Sequence, residues 1–156
     1  MATALVWPVF QLKYSDKWSS IESTFISDAR FLHKHWPHPQ WQPNWYTGTR
    51  FDYVYPPALR YGTAGLMKAY EKLGAPQAYH IYIGVMYCFG IAGVYLLARM
   101  GSGSRWAAIL AALAVATVSP SFLMIADIRQ DAINNHWEPH RLGVLMRYGE
   151  GPHMSA

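Results

Sequence analysis

The sequence predicts an all-α integral membrane protein whose centre is a hairpin of two transmembrane helices. Three observations predict this fold class. Apolar residues are concentrated between positions 78 and 126, a short turn with two arginines interrupts them, and aromatic residues fill the flanking segments. Hydrophobic residues make up 52% of the chain, yet its mean hydropathy is near zero because the polar flanks offset the apolar centre. A helix needs about 20 apolar residues to cross a bilayer, and the centre is long enough for two.

Each arm of the predicted hairpin has its own local signals. The first span is predicted over residues 76–98, where Pro76 suits the first helical turn and His80 is the one ionisable residue. The second span is predicted over residues 106–126, which contain no charged residue. Pro120 lies late in this span. Because proline removes a backbone donor, we expect the helix to kink or end there.

The turn between the spans, residues 99–105, predicts the orientation of the hairpin. It carries Arg99 and Arg105, and short loops with an excess of Arg and Lys face the cytoplasm. We therefore expect a multi-pass protein of the inner (cytoplasmic) membrane, with residues 13–75 and 127–156 on the outer side. Small residues recur along both spans, which favours close packing of the helices against each other or against other membrane subunits.

The whole chain, residues 1–156, is predicted to be a single membrane domain. Residues 1–12 are apolar but too short to cross a bilayer, so we interpret them as the remnant of a first helix and expect a longer protein. The net charge of +4 comes without a run of basic residues, which argues against a nucleic-acid partner. The single cysteine excludes an intramolecular disulfide.

Two short helices are predicted in the outer segment that precedes the first span. Ser19 and Glu22 have the spacing of a capping box, and apolar residues follow at helical intervals, so an amphipathic helix is predicted over residues 20–34. A second helix is predicted over residues 59–73, ended by Gly74. The charged residues in its last turns favour a position in the membrane interface.

Glu22 and Asp28 are the candidate catalytic residues of the first outer helix. A carboxylate at a membrane face can act as general base on a hydroxyl, or it can bind a divalent metal. The alternatives are that Glu22 only completes its capping box and that Asp28 only solvates a helix face. Six residues separate the two positions by about 240° around a helix, so they are not expected to point the same way.

A group of histidines follows the same helix. His33, His35 and His38 have a spacing at which imidazoles can bind a transition metal. The alternative is that the three side chains are solvated or hydrogen-bonded without any metal. The prolines around them constrain the loop and no cysteine supports a metal site.

Residues 36–57 combine many aromatic side chains with prolines that favour turns and extended chain. Tryptophan and tyrosine prefer the interface between membrane and water, which accounts for much of this composition. The functional alternative is a platform on which a sugar ring stacks. Asn44, Arg50 and Asp52 would then bind the sugar hydroxyls.

The order of these features resembles the first part of bacterial membrane glycosyltransferases of the GT-C superfamily. It is similar above all to uncharacterised multi-spanning proteins labelled as related to 6-pyruvoyl-tetrahydropterin synthase. Four stretches carry the resemblance: residues 21–30, Trp45-Tyr46, residues 51–57 and residues 148–153. Together they extend over nearly the whole chain but correspond only to the N-terminal part of such a protein.

The resemblance implies a polyprenyl-phosphate-linked sugar donor, used on the outer side of the membrane. In that family an early acidic residue of the outer loop is the general base, often near a divalent metal, which maps to Glu22 with Asp28 as the second choice. Arg30 is the expected partner of the departing phosphate. The remaining substrate-binding candidates are Trp45, Tyr46, Asp52, Tyr55, Glu150 and His153.

Two departures from the family pattern qualify what the resemblance implies. Many relatives carry a paired Asp-Glu where this chain has Ile21-Glu22. Two spans are also too few to enclose a lipid-linked donor, so we expect this chain to be inactive alone. The alternative function is a small accessory subunit, without chemistry of its own, in a larger membrane complex.

Overall fold

The computed structural model describes residues 6–11, 20–44, 47–53, 57–134 and 139–149, and these residues are mostly helical. The helices are α1 (Glu22–Lys34), α2 (Pro57–Ala69), α3 (Ala75–Ser102), α4 (Arg105–Thr117), α5 (Pro120–Met124), α6 (Ala126–Asn134) and α7 (His140–Arg147). Strands β1 (Trp41–Gln42) and β2 (Thr49–Arg50) form an antiparallel pair, and 3-10 turns cover Trp7–Gln11 and Phe51–Tyr53. The predicted all-α class is confirmed.

Helix α3 corresponds to the first predicted span and is longer than predicted. Gly74 precedes it, a proline lies in its first turn, and Gly103 ends it with a left-handed φ of 66°. Its 28 residues extend over about 42 Å. Among the described residues it is the one helix that length and composition allow to cross a membrane, and only 17% of its most apolar window is buried.

The second predicted span, residues 106–126, is not one continuous helix. Helix α4 has 13 residues and a length of about 20 Å, whereas a hydrocarbon core is about 30 Å thick. The backbone becomes extended at Val118. Helix α5 begins at Pro120, and the hydroxyl of its N-cap residue, Ser119, accepts a hydrogen bond from the Phe122 amide. The position before a proline disfavours helix, so Pro120 divides the span instead of only kinking it. A second membrane crossing stays a prediction.

Two carbonyl groups at the C-terminal end of α4 accept hydrogen bonds from side chains of two other helices. The last carbonyls of a helix have no partner within it. The Tyr87 hydroxyl of α3 donates to the Ala116 carbonyl. Nη1 of Arg141 in α7 donates to the Val115 carbonyl at 3.1 Å. These contacts hold α7 against the C-terminal end of α4, beside the middle of α3.

The predicted capping box at the start of α1 is wrong. The helix begins at Glu22, and its N-cap position is occupied by Ile21, which makes no side-chain cap hydrogen bond. The Glu22 amide donates instead to the Ser20 hydroxyl at 3.4 Å, and the Glu22 side chain is buried against His80 of α3. Ser19 lies outside the described residues. Helix α2 also differs from its prediction over 59–73, because it begins at Pro57 and ends at Ala69.

The core lies between α1, α2, α7 and the first half of α3. Its buried side chains come from all four helices: Phe25, Ile26, Leu59, Met67, Tyr79, Ile83, Leu142 and Met146. A smaller cluster joins Leu32, Phe51 and Ala64. The second half of α3 is exposed by contrast, with Leu97 75% exposed. Helices α1, α2 and α7 therefore pack onto only one half of the long helix.

Candidate functional site

The candidate site is built on helix α1, which buries both of its predicted catalytic carboxylates. Glu22 and Asp28 are each 2% exposed. Acidic side chains are rarely buried to this degree unless other groups bind them. The alternative in which Asp28 solvates a helix face is therefore wrong, and each carboxylate has a specific partner.

Glu22 pairs with a histidine of the long apolar helix. Nε2 of His80 donates to Oε2 of Glu22 at 3.1 Å, and the two side chains are 1% and 3% exposed. His80 lies about 8 Å from the start of α3, so the contact joins α1 to the first turns of that helix. The sequence places His80 in the span but not its partner, which lies 58 residues away. The signal for such a partner is that an ionisable residue within an apolar span is costly to leave unpaired.

The start of α1 is also in contact with the end of α7. The Ile21 amide donates to the Tyr148 carbonyl at 3.4 Å. A Cβ atom at Gly149 would lie 2.5 Å from the Glu22 nitrogen, and Gly149 has a φ of +74°. Both the close approach and the left-handed backbone require glycine at this position. Tyr148 and Gly149, the first two residues of the resembling stretch 148–153, thus lie beside Glu22.

Asp28 faces the other side of α1. Nε2 of Gln42, on β1, donates to Oδ1 of Asp28. Burial raises the pKa of Asp28, and the Gln42 hydrogen bond and the positive charge of Arg60 oppose this shift only in part. The carboxyl group therefore holds a proton more readily than an exposed aspartate does.

Arg60 is a buried cation beside Asp28 that the sequence did not single out. It lies on α2 and is 4% exposed. Nη1 donates to the Phe51 carbonyl at 2.7 Å, and the guanidinium carbon lies 4.1 Å from the centre of the Phe51 ring. Burial lowers the pKa of Arg60, and the nearby Tyr61, Asp28 and Asp52 oppose this shift. Arg60 lies three positions after the 51–57 stretch, and it could be found from sequence only as a basic residue on the apolar face of α2.

The other predicted substrate-binding residues are placed as follows. Arg30 is on the exposed face of α1. Asp52 is an exposed partner of Arg50, with Nη2 and Oδ2 3.2 Å apart. The structure does not bring either residue to the buried carboxylates. The predicted residues Trp45, Tyr46, Tyr55, Glu150 and His153 lie outside the described residues.

A metal site at the histidines, or beside the carboxylates as the resemblance implies, stays a prediction. Nδ1 of His35 donates to the Phe31 carbonyl at 3.0 Å, and Nδ1 of His38 lies 2.8 Å from the Tyr61 hydroxyl. Within the described ranges no group of three or more His, Cys, Asp or Glu side chains could hold a metal ion. Glu22 and Asp28 also face different sides of α1, so no catalytic step is assigned to a metal.

Comparisons with protein-family models, with curated proteins and with solved structures find no match for this chain. The functional interpretation therefore depends on the two buried carboxylates of α1 and on what binds them.

Proposed function

We propose that this chain supplies the acidic outer helix and the first membrane hairpin of a GT-C-type glycosyltransferase. The enzyme would use a polyprenyl-phosphate-linked sugar as its donor. One observation carries the proposal: α1 holds two buried carboxylates, and one of them, Glu22, contacts His80 near the start of α3, the helix best suited to cross the membrane. A lipid-linked donor would present its sugar at this level.

The proposed chemistry requires a base for the acceptor hydroxyl. Glu22 is the first candidate because His80 fixes its carboxylate through a hydrogen bond of 3.1 Å. Asp28 is the second candidate. Its raised pKa supports a role in proton transfer, because a general base works best when its pKa approaches the working pH. Arg30, proposed for the departing phosphate, is the least supported of the three.

The contacts of α1 with the resembling stretches also support the proposal. Asp28 binds Gln42, and the far end of the helix packs through Leu32 on Phe51, the first residue of the 51–57 stretch. The first turn contacts Tyr148 and the residue after it. The stretches are far apart in sequence, so their convergence on one helix is not a consequence of chain order.

In the proposed orientation α3 crosses the inner membrane and α4 with α5 returns toward the outer side. The turn from Arg99 to Arg105 then lies in the cytoplasm, as its two arginines favour. Membrane lipid surrounds the exposed apolar side chains of the second half of α3. Helix α1 and its carboxylates lie outside, where a polyprenyl-phosphate sugar would be used.

The proposal is tested by replacing the carboxylates in the complete reading frame that contains residues 1–156. Transfer from a radiolabelled polyprenyl-phosphate sugar is measured in membrane vesicles. Glu22→Gln should lower the rate by about 10²- to 10⁴-fold, the usual contribution of a general base. Glu71→Gln is the matched control, because this carboxylate is exposed after α2. Unchanged transfer by both Glu22→Gln and Asp28→Asn would refute the proposal.

The second candidate function is a non-catalytic subunit of a larger membrane complex. The specific observation in its favour is the row of exposed apolar side chains along the hairpin, which neighbouring helices could cover: Phe89, Leu96, Leu97, Met100, Trp106 and Leu110. Purification in mild detergent followed by mass spectrometry distinguishes the two. Unrelated proteins in fixed stoichiometry would favour the subunit.

A further inference from the structure

Four polar side chains form a buried cluster between α1, β1 and α2. Asp28 is 2% exposed, Gln42 1%, Arg60 4% and Thr63 0%. Asp28 and Gln42 are hydrogen-bonded to each other, and the charges of Asp28 and Arg60 attract. Thr63 lies three residues after Arg60, on the same face of α2. We refer to these four residues as the polar cluster.

Three polar atoms of this cluster have no hydrogen-bond partner within the described part of the chain. They are Oε1 of Gln42, Nε of Arg60 and Oγ1 of Thr63. A buried donor or acceptor without a partner is destabilising, and native proteins contain few of them. Three such atoms in four neighbouring residues indicate a site that a ligand completes.

The chemistry of the three atoms identifies the kind of ligand. Nε of Arg60 can only donate, Oε1 of Gln42 can only accept, and the Thr63 hydroxyl can do both. A hydroxyl group offers both a donor and an acceptor, so neighbouring hydroxyls match this set. A fully ionised phosphate monoester offers no donor to Gln42.

The charge of the cluster also favours a neutral ligand. It contains one basic and one acidic side chain, Arg60 and Asp28. Among the described residues no carboxylate oxygen lies within 4.0 Å of the Arg60 guanidinium, so Arg60 forms no direct ion pair there. Its positive charge still attracts the Asp28 carboxylate over a longer distance. Added negative charge would be repelled by the ionised form of Asp28, and added positive charge by Arg60.

We propose that Asp28, Gln42, Arg60 and Thr63 form a binding site for the vicinal hydroxyls of an uncharged sugar. That the hydroxyls belong to a sugar rests on the proposed function. The ligand enters when the strand that carries Gln42 separates from α1 and α2. This movement breaks the hydrogen bond between Gln42 and Asp28, while the two-residue pairing of β1 with β2 does not tie the strand to a larger sheet.

The test measures binding to the purified full chain in a detergent without a sugar headgroup. Methyl α-D-mannopyranoside is the neutral probe, and glucuronate and inorganic phosphate are the charged ones. Saturation-transfer NMR is the readout. The neutral glycoside should bind saturably and at least tenfold more tightly than either charged compound.

Two variants and a control assign the binding to the cluster. Thr63→Val keeps the side-chain shape and removes the hydroxyl, and Gln42→Leu removes the free acceptor. Each should weaken glycoside binding at least tenfold while circular dichroism stays unchanged. Arg129→Met, an exposed arginine of α6, is the control and should bind as the parent does.

Each outcome supports or overturns the site. Absence of saturable glycoside binding overturns it, as does equal binding by Thr63→Val or tighter binding of phosphate. The result is independent of the proposed reaction. Glycoside binding without sugar transfer leaves the site standing while the proposed function fails, and transfer without this binding does the reverse.

Discussion

Replacing His80 with leucine should destabilise the protein by about 3 kcal/mol. The substitution removes the ring nitrogen that lies 3.1 Å from Oε2 of Glu22, and the glutamate side chain is 3% exposed. Breaking a buried pair from one side costs about 3–5 kcal/mol because a buried charge loses its partner. The lower end of that range applies because Glu22 makes further interactions besides this one.

A double-mutant cycle measures the coupling free energy between Glu22 and His80 and shows whether the pair is stabilising. Glu22→Leu alone should cost about 2 kcal/mol, since it leaves a buried imidazole donor behind. The double variant should also cost only about 2 kcal/mol, because two apolar side chains replace the whole pair. The coupling free energy between Glu22 and His80 is then about 3 kcal/mol in favour of the pair.

The assay is unfolding by denaturant in non-ionic detergent, followed by circular dichroism. The exposed pair Arg50–Asp52 provides the control, since its nitrogen and oxygen are 3.2 Å apart but its side chains are 60% and 62% exposed. Its coupling should stay below about 1 kcal/mol. A coupling between Glu22 and His80 below about 0.5 kcal/mol, the usual limit of additivity, would refute the contact that joins α1 to α3.

Three further predictions concern single sites. Burial raises the pKa of Asp28 in the folded protein, so the stability it contributes is present at low pH and is lost as pH rises through that pKa. The free energy of unfolding of Asp28→Asn should lack this decrease above about pH 4, and denaturant titrations across pH measure it. Gly149→Ala should cost about 2 kcal/mol in the same assay, because its Cβ atom would lie 2.5 Å from the Glu22 nitrogen at a φ of +74°. Thr63→Val should raise the stability of the ligand-free protein by about 1 kcal/mol, since it removes a buried hydroxyl without a partner among the described residues. A loss of stability would show that the Thr63 hydroxyl is hydrogen-bonded in the ligand-free protein.

The sequence predicts the long apolar helix well because its signals are local. A continuous apolar run fixes the body of α3, and Gly74 with Pro76 fixes its start within one residue. Its end was predicted four residues early, because Arg99 was assigned to the turn. The helix continues past Arg99 to Ser102, and the left-handed Gly103 ends it. The second span was predicted too long, because hydropathy does not register the extended conformation that Pro120 requires of the residues before it.

The candidate site was predicted only in part because its contacts are tertiary. The sequence identifies Glu22 and Asp28 as carboxylates of one helix, but hydropathy averages His80 into an apolar span. Arg60 was missed for a similar reason. Its burial depends on the Phe51 carbonyl and ring, which a separate 3-10 turn brings to α2. No periodicity within α2 contains that information.

The angle between the two carboxylates explains why α1 is enclosed. Positions 22 and 28 are about 240° apart on a helix, so one apolar face cannot bury both. The structure buries Glu22 against α3 and Asp28 against β1, and this requires packing on two sides of α1. A movement of the Gln42 strand would uncover Asp28 and leave the Glu22–His80 contact intact. The two carboxylates can therefore have different access to solvent in the same protein, as an acid and a base with separate tasks require.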